Sequence, residues 1–481
     1  MKEFESYKSF KTFKNFYELN QIPRCSNDEV KVSNFLVEFG KQLGLETVQD
    51  EVLNVMIKKP GTFGLEDAKP VALQAHIDMV CEKESTCNHD FTKDPIDMYI
   101  DEDFLKAKGT TLGADNGLGV AMAMDILEST DVKHPPLEVI FTATEETGMD
   151  GAIGLSESWL KAERLINLDT EDEGIMIIGC AGGINAFLEI PAKYQEVKGL
   201  INRKVSVAGL KGGHSGLTIG SEHLNALKVL DEIIQKLKLN FEIKIQNING
   251  GTKHNAIPSS AYAYIGIKKE ELADFEEKFE ALTDEKVNSY IKRESSLSIN
   301  LELAPNYEIY LCDETAKKAL TALSLLPHGV NTMSDIETEM VESSNNLAIA
   351  QIINDTFKIS LSVRSSNEEQ RQVVINKIED VARRVGANIS YSDGYPMWEP
   401  NYDSSLAEIA KDSYKSLRNE ELVVKSIHAG LETGLLSKKY PQMDMISIGP
   451  NIFGAHTPNE RLSISSTEFT REFLIDILTR L

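Results

Sequence analysis

The sequence predicts an α/β protein whose strands end in clusters of polar residues. Short β-branched runs alternate with helical stretches in the first and last parts of the chain, and this alternation is typical of an α/β sheet. Ligands of such sheets lie beyond the carboxyl ends of the strands. The length of 481 residues exceeds the roughly 100–200 residues of an ordinary domain. We therefore expect two domains, or one domain that carries a large insertion.

Two amphipathic helices are expected first, over residues 5–20 and 28–44, with Pro23 and Ser26 between them. A Ser-Asn-Asp segment favours the start of the second helix. Four apolar runs with strand character follow at intervals along the chain: Val71–Ala75, Leu137–Ala143, Leu165–Leu168 and Met443–Ile448. The apolar stretch Leu118–Leu127 predicts a helix between the first two runs. Each of the four runs leads into acidic or histidine residues.

The middle of the chain predicts a different arrangement. Two successive groups of strands and helices have a similar order between about Asn202 and Asp393, without evident sequence identity. The second group is expected to begin with a strand at Leu297–Leu303. We infer an inserted α/β domain with an internal pseudo-repeat, over residues 184–394. The other domain then consists of residues 1–183 and 395–481, and the α/β core resumes with a helix at Ser405–Arg418.

Composition excludes several classes of function. The formal net charge is -25, and an acidic surface repels phosphate backbones and anionic lipid, so we expect no nucleic-acid or membrane partner. No stretch approaches the ~20 apolar residues of a membrane span, and the polar N-terminus has no apolar signal core. Five cysteines without tight paired spacing predict free thiols in a reducing compartment. We therefore expect a cytoplasmic protein.

The polar clusters together contain the residue types of a dinuclear hydrolytic site. Such a site needs a bridging carboxylate, further ligands for each ion and a carboxylate base. In His76-Ile77-Asp78 the alternation of side chains in an extended chain puts His76 and Asp78 on one side. His76 is then a candidate ligand, and Asp78 would accept the other imidazole N–H and fix its tautomer. For this triplet alone, a surface histidine beside an unrelated aspartate is the simpler interpretation.

Asp115 and the pair Glu145–Glu146 supply the carboxylates. Asp115 ends a glycine-rich turn before the apolar helix and is the candidate bridging ligand, although aspartate is also favoured as an ordinary helix cap. Burial of adjacent carboxylates pushes their pKa values apart. We therefore assign Glu146 as a metal ligand and Glu145 as the general base. Solvated loop acids remain the alternative.

Asp169 follows a third strand, and His456 lies in a loop near the end of the chain. Either residue alone is weak evidence. Jointly, five separate segments carry plausible ligands, and together they complete two metal sites. Two histidines with carboxylates suit two divalent ions, most readily zinc, with cobalt or manganese as alternatives. The acid-rich set argues against a purely structural zinc site, which favours thiolates.

The motifs occur in an order that resembles a known family. They are His-Ile-Asp, Gly-Ala-Asp-Asn-Gly, Thr-Glu-Glu-Thr-Gly, Asn-Leu-Asp, Gly-Gly-His-Ser-Gly and Gly-Ala-His-Thr-Pro. The order is similar to that of the co-catalytic zinc peptidases that include carnosinase, carboxypeptidase G and aminoacylase. Within that family the likeness is greatest to the bacterial aminoacyl-histidine (Xaa-His) dipeptidases. The stretch from Ile427 to Glu432 contributes to it, and the likeness covers nearly the whole chain.

The resemblance implies a catalytic domain with a mixed central sheet, built from both ends of the chain, and an inserted lid domain. It implies a shared Asp115, with His76 and Asp169 at one metal and Glu146 and His456 at the other. Glu145 would be the base and Asp78 would orient His76.

The resemblance also implies roles for three residues of the inserted domain and for Gly430, which lies beyond it. His214, in the Gly-Gly-His-Ser-Gly motif, would stabilise the developing oxyanion, either within its own chain or across a dimer interface. A positioned donor of that kind lowers the reaction barrier by ~3–4 kcal/mol. A glycine-flanked loop histidine is its alternative. Asn255 and Arg364 match substrate-contacting positions, and Arg364 suits bidentate capture of a carboxylate, unless it is a strand-end surface arginine. Gly430 would offer its backbone near the substrate.

The expected function is metal-dependent hydrolysis of dipeptides, of Xaa-His type or of broad specificity. A tripeptide aminopeptidase or an N-acyl-amino-acid deacylase would use the same site. A non-catalytic peptide-binding paralogue is a further alternative, against which the intact Glu145 argues. The expected partners are a small peptide substrate and, from the resemblance, a second copy of the chain in a homodimer.

Overall fold

The computed structural model describes residues 4–481, which divide into two compact units. Unit 1 consists of residues 4–180, 398–426 and 431–481, and unit 2 consists of residues 181–397 and 427–430. Within residues 4–481, none of the helices is both long enough and apolar enough to cross a membrane.

The helices and strands follow one another along the chain in three stretches. Up to residue 180 they are α1 (Phe10–Leu19), α2 (Val30–Gln42), β1 (Glu46–Gln49), β2 (Val55–Lys59), β3 (Val71–His76), β4 (Met98–Asp101), β5 (Phe104–Ala107), α3 (Ala114–Glu128), β6 (Leu137–Thr142), α4 (Glu145–Gly148), α5 (Asp150–Gly154), β7 (Arg164–Asn167) and β8 (Ile175–Cys180). Residues 181–397 form β9 (Gly182–Pro191), β10 (Tyr194–Glu196), β11 (Leu200–Ala208), α6 (Ala226–Lys238), β12 (Lys244–Gly250), β13 (Ala261–Lys268), α7 (Leu272–Tyr290), β14 (Ser298–Leu303), β15 (Ile309–Leu311), α8 (Asp313–Leu325), β16 (Gly329–Met333), β17 (Val341–Ile353), β18 (Thr356–Ser365), α9 (Glu368–Val385) and β19 (Asn388–Tyr391). The remainder forms α10 (Ser405–Arg418), β20 (Val423–Ile427), α11 (Glu432–Lys439), β21 (Asp444–Ser447), β22 (Ile452–Phe453), β23 (Arg461–Ser463) and α12 (Ile464–Arg480).

Unit 1 is built on an eight-stranded mixed sheet, which confirms the predicted α/β class. The strand order is β1-β2-β6-β3-β7-β21-β8-β20. The four central strands β6, β3, β7 and β21 run parallel to one another, while β2 and β8 join them antiparallel. The carboxyl ends of the four parallel strands therefore meet at one edge of the sheet, where a ligand site is expected. A smaller sheet has the order β22-β23-β5-β4.

Helix α3 lies against β3 and α1 in the core of unit 1. Its sequence is apolar on all sides, as expected of a helix without a solvent face, and residues 116–127 are all buried. The buried Asp125 carboxylate is held by Arg471 at 2.6 Å and by the Thr12 hydroxyl at 2.7 Å. Helices α1, α3 and α12 are thus joined by one ion pair and one hydrogen bond.

Unit 2 contains a sheet in the order β14-β11-β13-β12-β17-β18-β9-β19, packed with helices α6, α7, α8 and α9. The sheet has two halves that meet where β12 pairs with β17. On one side lie β12, β13 and β11 in that order, and on the other side lie β17, β18 and β9 in the corresponding order. The predicted composition of the second group is wrong in one element. Leu297–Leu303 does not begin it, because β14 pairs with β11 at the outer edge of the first group, and β9 occupies the corresponding position in the second.

The prediction of five free cysteines is wrong for Cys25 and Cys81, which form a disulfide with a Cα–Cα distance of 5.6 Å. A bridge between Cys25 and Met79 brings the two segments together. Their separation of 56 residues concealed this contact in the sequence. Cys87, Cys180 and Cys312 are free thiols.

Candidate active site

The predicted ligands of unit 1 lie at one edge of its sheet. His76 is the last residue of β3, and its register partner on β6 is Thr142, three residues before Glu145. Asp169 follows β7 by two residues. Asp115 lies before the regular part of α3, in extended backbone after the left-handed Gly113. The parallel register therefore brings side chains together from distant parts of the sequence.

Asp115 is the centre of this cluster. Its Oδ1 lies 3.2 Å from His76 Nε2, which is itself 3.4 Å from Asp169 Oδ1. Its Oδ2 lies 3.0 Å from His456 Nε2, which is 3.0 Å from Glu146 Oε2. The two oxygens of a single carboxylate thus face two different sets of side chains.

The chemistry of this donor set fits cations. Ligand atoms of His76, Asp115 and Glu146 all lie within 4.8 Å of one another. Within the described residues, Glu146 Oε1 and Asp169 Oδ1 are buried and accept no hydrogen bond. Burial raises the pKa of both carboxyls, and the nearby charge of Asp115 adds to the effect. Crowded carboxylates with unpartnered buried oxygens are expensive unless a positive charge is added.

The two histidines respond to the same carboxylates. Hydrogen bonds to Asp115 and Glu146 raise the pKa of His456 to about 11. Burial alone would lower the pKa of His76, but Asp169, Asp115 and Asp78 outweigh it and raise that pKa well above its ordinary value. Both imidazoles therefore lie where the surrounding charge attracts a cation, either a proton or a metal ion.

Asp78 is fully buried beside His76, with its Oδ1 3.3 Å from His76 Nδ1. Its carboxylate accepts hydrogen bonds from the backbone N–H groups of Glu145 at 3.0 Å and Glu146 at 3.2 Å, and from the Ser26 hydroxyl at 2.7 Å. A carboxylate in this position fixes which imidazole nitrogen carries the proton. Asp78 therefore links the orientation of His76 to the placement of both glutamates.

Glu145 and Glu146 begin the short helix α4, whereas the alternative interpretation of the sequence had them as solvated loop acids. Thr144 before it and Met149 after it both have left-handed backbone, with φ of 58° and 59°. His456 is also left-handed, with φ of 64°. Such positions are unfavourable for residues other than glycine and concentrate at functional sites. Burial raises the pKa of the Glu145 carboxyl well above its ordinary value, and the charges of Asp169 and Glu146 add to this.

Residues that the sequence interpretation missed form a layer behind the cluster. Glu432 Oε2 accepts hydrogen bonds from Gln74 and Thr142, each at 2.6 Å, and its Oε1 is buried without a partner among the described residues. Gln74 and Asn167 continue this polar network across β3 and β7. Burial raises the pKa of Glu432 to about 8. The signals in the sequence were the polar Gln74 within an apolar strand and the place of Glu432 in the matching stretch from Ile427 to Glu432.

Arg24 was also missed, and it is almost completely buried. Its guanidinium donates to the carbonyl oxygens of Ile77 at 3.2 Å, Asp78 at 3.3 Å and Gly113 at 2.6 Å. One side chain therefore holds both the His76 segment and the Asp115 segment. Its sequence context, Pro-Arg-Cys-Ser, suggested only a break between helices.

The predicted residues of unit 2 lie in segments that contact one another. His214 Nδ1 accepts hydrogen bonds from the N–H groups of Gly216 at 3.2 Å and Leu217 at 3.1 Å, so the proton of a neutral His214 is on Nε2. The Asn255 carbonyl accepts from Ser215 N–H at 2.8 Å. A Cβ on Gly216 would meet the carbonyl oxygen of His428 and lie 3.2 Å from Arg364 Nε.

Arg364 is 7% exposed, and within residues 4–481 its Nε has no hydrogen-bond acceptor. Its Nη1 donates to the Tyr395 hydroxyl. His428, to which the sequence interpretation assigned no role, shares a 2.7 Å hydrogen bond with Ser344. Burial lowers the pKa of His428 to about 3, with a contribution from the charge of Arg364. Gly430 follows two residues later and belongs to the same unit.

Comparison with known proteins decides the family. The model of peptidase family M20/M25/M40 matches residues 72–480. The chain belongs to this family. It is 37% identical over 458 residues to the cytosol non-specific dipeptidase of Escherichia coli K12, which covers 95% of this chain and 94% of the relative.

Two solved structures illustrate the range of this fold. The aminoacylhistidine dipeptidase from Vibrio alginolyticus is similar over 100% of this chain and 99% of its own, with a TM-score of 0.89 and 34% identity. The aminopeptidase PepT from Bacillus cereus is similar over 98% of this chain and 97% of its own, with a TM-score of 0.55 and 15% identity. The second likeness concerns the fold alone. The family membership agrees with the metal-dependent peptidase fold predicted from the motifs.

Proposed function

We propose that this M20-family chain is a metal-dependent dipeptidase that cleaves Xaa-His and other dipeptides. The observation that carries the proposal is Asp115, whose two carboxylate oxygens face two separate sets of potential ligands. Two of the relatives that cover nearly the whole chain, those of E. coli and V. alginolyticus, are named as dipeptidases. Their names support the choice of a dipeptide over a tripeptide or an acylated amino acid.

We propose His76, Asp115 and Asp169 as the ligands of one divalent ion, and Asp115, Glu146 and His456 as the ligands of the other. Imidazole and carboxylate ligands suit zinc, and cobalt and manganese also fit them. When bound, the ions polarise the scissile carbonyl and lower the pKa of the attacking water to roughly 7. The buried oxygens of Glu146 and Asp169 that lack a hydrogen-bond donor support this assignment.

Glu145 is the proposed general base. Its carboxylate takes the proton from the attacking water and then passes it to the leaving amine. Burial and neighbouring acids raise its pKa, which brings the carboxyl closer to the working pH and makes both transfers easier. Asp78 keeps the proton of His76 on Nδ1 and thus leaves Nε2 to face the cluster. Asp78 also places Glu145, because it accepts the Glu145 backbone N–H.

The proposed roles in unit 2 concern the remaining parts of the substrate. Arg364 would bind the terminal carboxylate, for which a guanidinium with an unpartnered Nε is suited. His214 would donate its Nε2–H to the developing oxyanion, because its Nδ1 already accepts two backbone hydrogen bonds. Asn255 and Gly430 would contact the peptide. We also propose that unit 2 moves as a lid, that two copies of the chain form a homodimer and that the protein is located in the cytoplasm.

The test is hydrolysis of β-alanyl-histidine and a panel of dipeptides, tripeptides and N-acyl amino acids. Each substrate is assayed before chelation, after chelation and after zinc is added back. Chelator-sensitive cleavage of dipeptides alone is the expected result. Cleavage of tripeptides or acyl amino acids in preference would reassign the substrate, and chelator-resistant cleavage would refute the metal mechanism.

A further inference from the structure

Glu460 lies in unit 1 with its carboxylate enclosed by backbone. The residue is 3% exposed. Its Oε2 accepts from the N–H groups of Leu112 at 2.7 Å and Gly113 at 2.9 Å. Its Oε1 accepts from Ala114 at 2.7 Å and Asp115 at 3.3 Å. Four consecutive backbone N–H groups therefore converge on one carboxylate. That carboxylate belongs to a residue about 345 positions further along the chain.

The backbone of this loop makes the convergence possible. Gly113 has φ of 70°, and a left-handed residue before a helix turns successive N–H groups towards one point. The carbonyl oxygens are bound from elsewhere in unit 1. Asn20 donates to the Leu112 oxygen at 2.9 Å, and Arg24 donates to the Gly113 oxygen at 2.6 Å. Donors and acceptors of the loop are thus both occupied, which leaves it little freedom to move.

The same carboxylate belongs to the loop that carries His456. Two backbone turns connect His456 with Glu460. Thr457 N–H donates to the Gly454 oxygen at 3.2 Å, and Glu460 N–H donates to the Thr457 oxygen at 3.0 Å. His456 Nε2 then lies 3.0 Å from Asp115 Oδ2. Glu460 is therefore a short covalent path away from one proposed ligand and hydrogen-bonded to the backbone of the other.

We propose that Glu460 is a positioning residue of the metal centre, which sets the spacing between Asp115 and His456 without contacting metal or substrate. Its oxygens already accept two backbone hydrogen bonds each, so they have no place in a ligand set. The proposal rests on the metal site of the proposed function, but it does not depend on the identity of the substrate.

The test compares Glu460→Gln with the control Glu138→Gln in the full chain. A glutamine at 460 puts an NH₂ donor against backbone donors and removes the charge. Glu138 is a matched control, because it is 5% exposed and accepts from the N–H groups of Lys161 at 2.7 Å and Ala162 at 3.0 Å. It lies near the amino end of β6, away from the site edge.

Affinity for Co²⁺ is measured by competition with a chromophoric chelator, and the visible absorption of the Co²⁺-loaded protein reports the ligand geometry. Glu460→Gln is expected to weaken Co²⁺ binding by about 10–100-fold and to change the spectrum. It should also reduce kcat more than it changes KM. Glu138→Gln should keep the affinity and the spectrum of the unmodified chain, even where both variants lose similar stability in urea.

Unchanged affinity and spectrum in Glu460→Gln would overturn the proposal, as would an equal loss in Glu138→Gln. If Glu460→Gln does not fold, Glu460→Asp provides the comparison. The shorter side chain keeps the charge but cannot reach all four donors, so a smaller loss of affinity is expected, and no loss would refute the role. If the unmodified chain binds Co²⁺ but does not cleave dipeptides, the proposed function fails while this comparison stands.

Discussion

Replacement of Arg24 by methionine tests how the two segments that carry the proposed ligands His76 and Asp115 are held together. The side chain donates to three backbone carbonyl oxygens and to Asn20 Oδ1 at 3.0 Å. Methionine has a similar length but no donor. Its introduction leaves the oxygens of Ile77 and Asp78, and Asn20 Oδ1, without this donor, whereas the Gly113 oxygen keeps the Gly117 N–H at 3.2 Å. Glu460 and Asp78 also lose a nearby positive charge.

The expected loss follows from these contacts. Each orphaned buried acceptor costs about 1–3 kcal/mol, or roughly 3–9 kcal/mol for three. Methionine has no charge that must be desolvated on folding, so part of this loss in stability is recovered. We expect the free energy of unfolding of unit 1 to fall by about 4 kcal/mol, within the ~3–5 kcal/mol range for removal of one partner from a buried ionic network.

Urea unfolding of the metal-free protein, followed by tryptophan fluorescence, measures this loss. The two tryptophans, Trp159 and Trp398, both lie in unit 1, so the signal reports that unit. The control is Arg164→Met, whose side chain donates one exposed hydrogen bond to Ser405 and whose replacement should cost less than about 0.5 kcal/mol. A loss below about 1 kcal/mol in Arg24→Met would show that Arg24 does not hold the two segments together.

Three further outcomes are expected. Glu145→Gln should lower kcat by about 10²–10⁴-fold with unchanged metal content by elemental analysis, because the amide cannot accept the proton. Burial holds the pKa of His428 at about 3 in the folded chain, whereas the pKa in the unfolded chain is near 6.5. Between these pH values only the unfolded chain binds the proton. The free energy of unfolding therefore falls as the pH drops from 6.5 towards 3. Replacement by glutamine should spare about 2 kcal/mol of that loss between pH 6.5 and 5, as measured by denaturation monitored by circular dichroism. Alkylation of the unfolded, unreduced chain should modify three of its five cysteines, and reduction of the Cys25–Cys81 bond should lower the free energy of unfolding by about 4 kcal/mol for its 56-residue separation.

Each outcome has a result that contradicts it. Turnover near the original value in Glu145→Gln would remove that residue from proton transfer. An identical pH dependence in the His428 variant would mean that the imidazole is protonated in the folded chain. Modification of all five thiols without reductant would show that Cys25 and Cys81 are not bonded. The unmodified chain, measured in parallel, is the control in each case.

The sequence was informative about the ligand-bearing edge because parallel strands impose a simple rule. Residues that directly follow such strands must meet at one edge, so His76 and Asp169 could be placed together without knowledge of the strand order. Asp115 lies at the irregular start of α3 and His456 lies in a loop, so the resemblance of their motifs was needed to pair them. The structure brings all four together, while their assigned roles as ligands stay predictions.

The residues behind this edge could not be inferred in the same way. Arg24 and Glu460 bind backbone atoms, and backbone groups leave no mark in the sequence. The disulfide was not predicted for a related reason: Cys25 and Cys81 meet only when the segment after β3 packs beside the segment after α1. Strand β14 was assigned to the wrong group because a local pattern predicts a strand but not its neighbour in the sheet.

The separation of 341 residues between Asp115 and His456 has a consequence for the time at which the enzyme matures in the cell. A ribosome adds roughly 5–20 residues per second, so about 20–70 s pass after Asp115 is made before His456 follows. During that interval the nascent chain contains the acids of the cluster but not the imidazole of His456. If Asp115 and His456 bind metal as proposed, such a chain would hold divalent ions weakly and would have little capacity to hydrolyse peptides beside the ribosome.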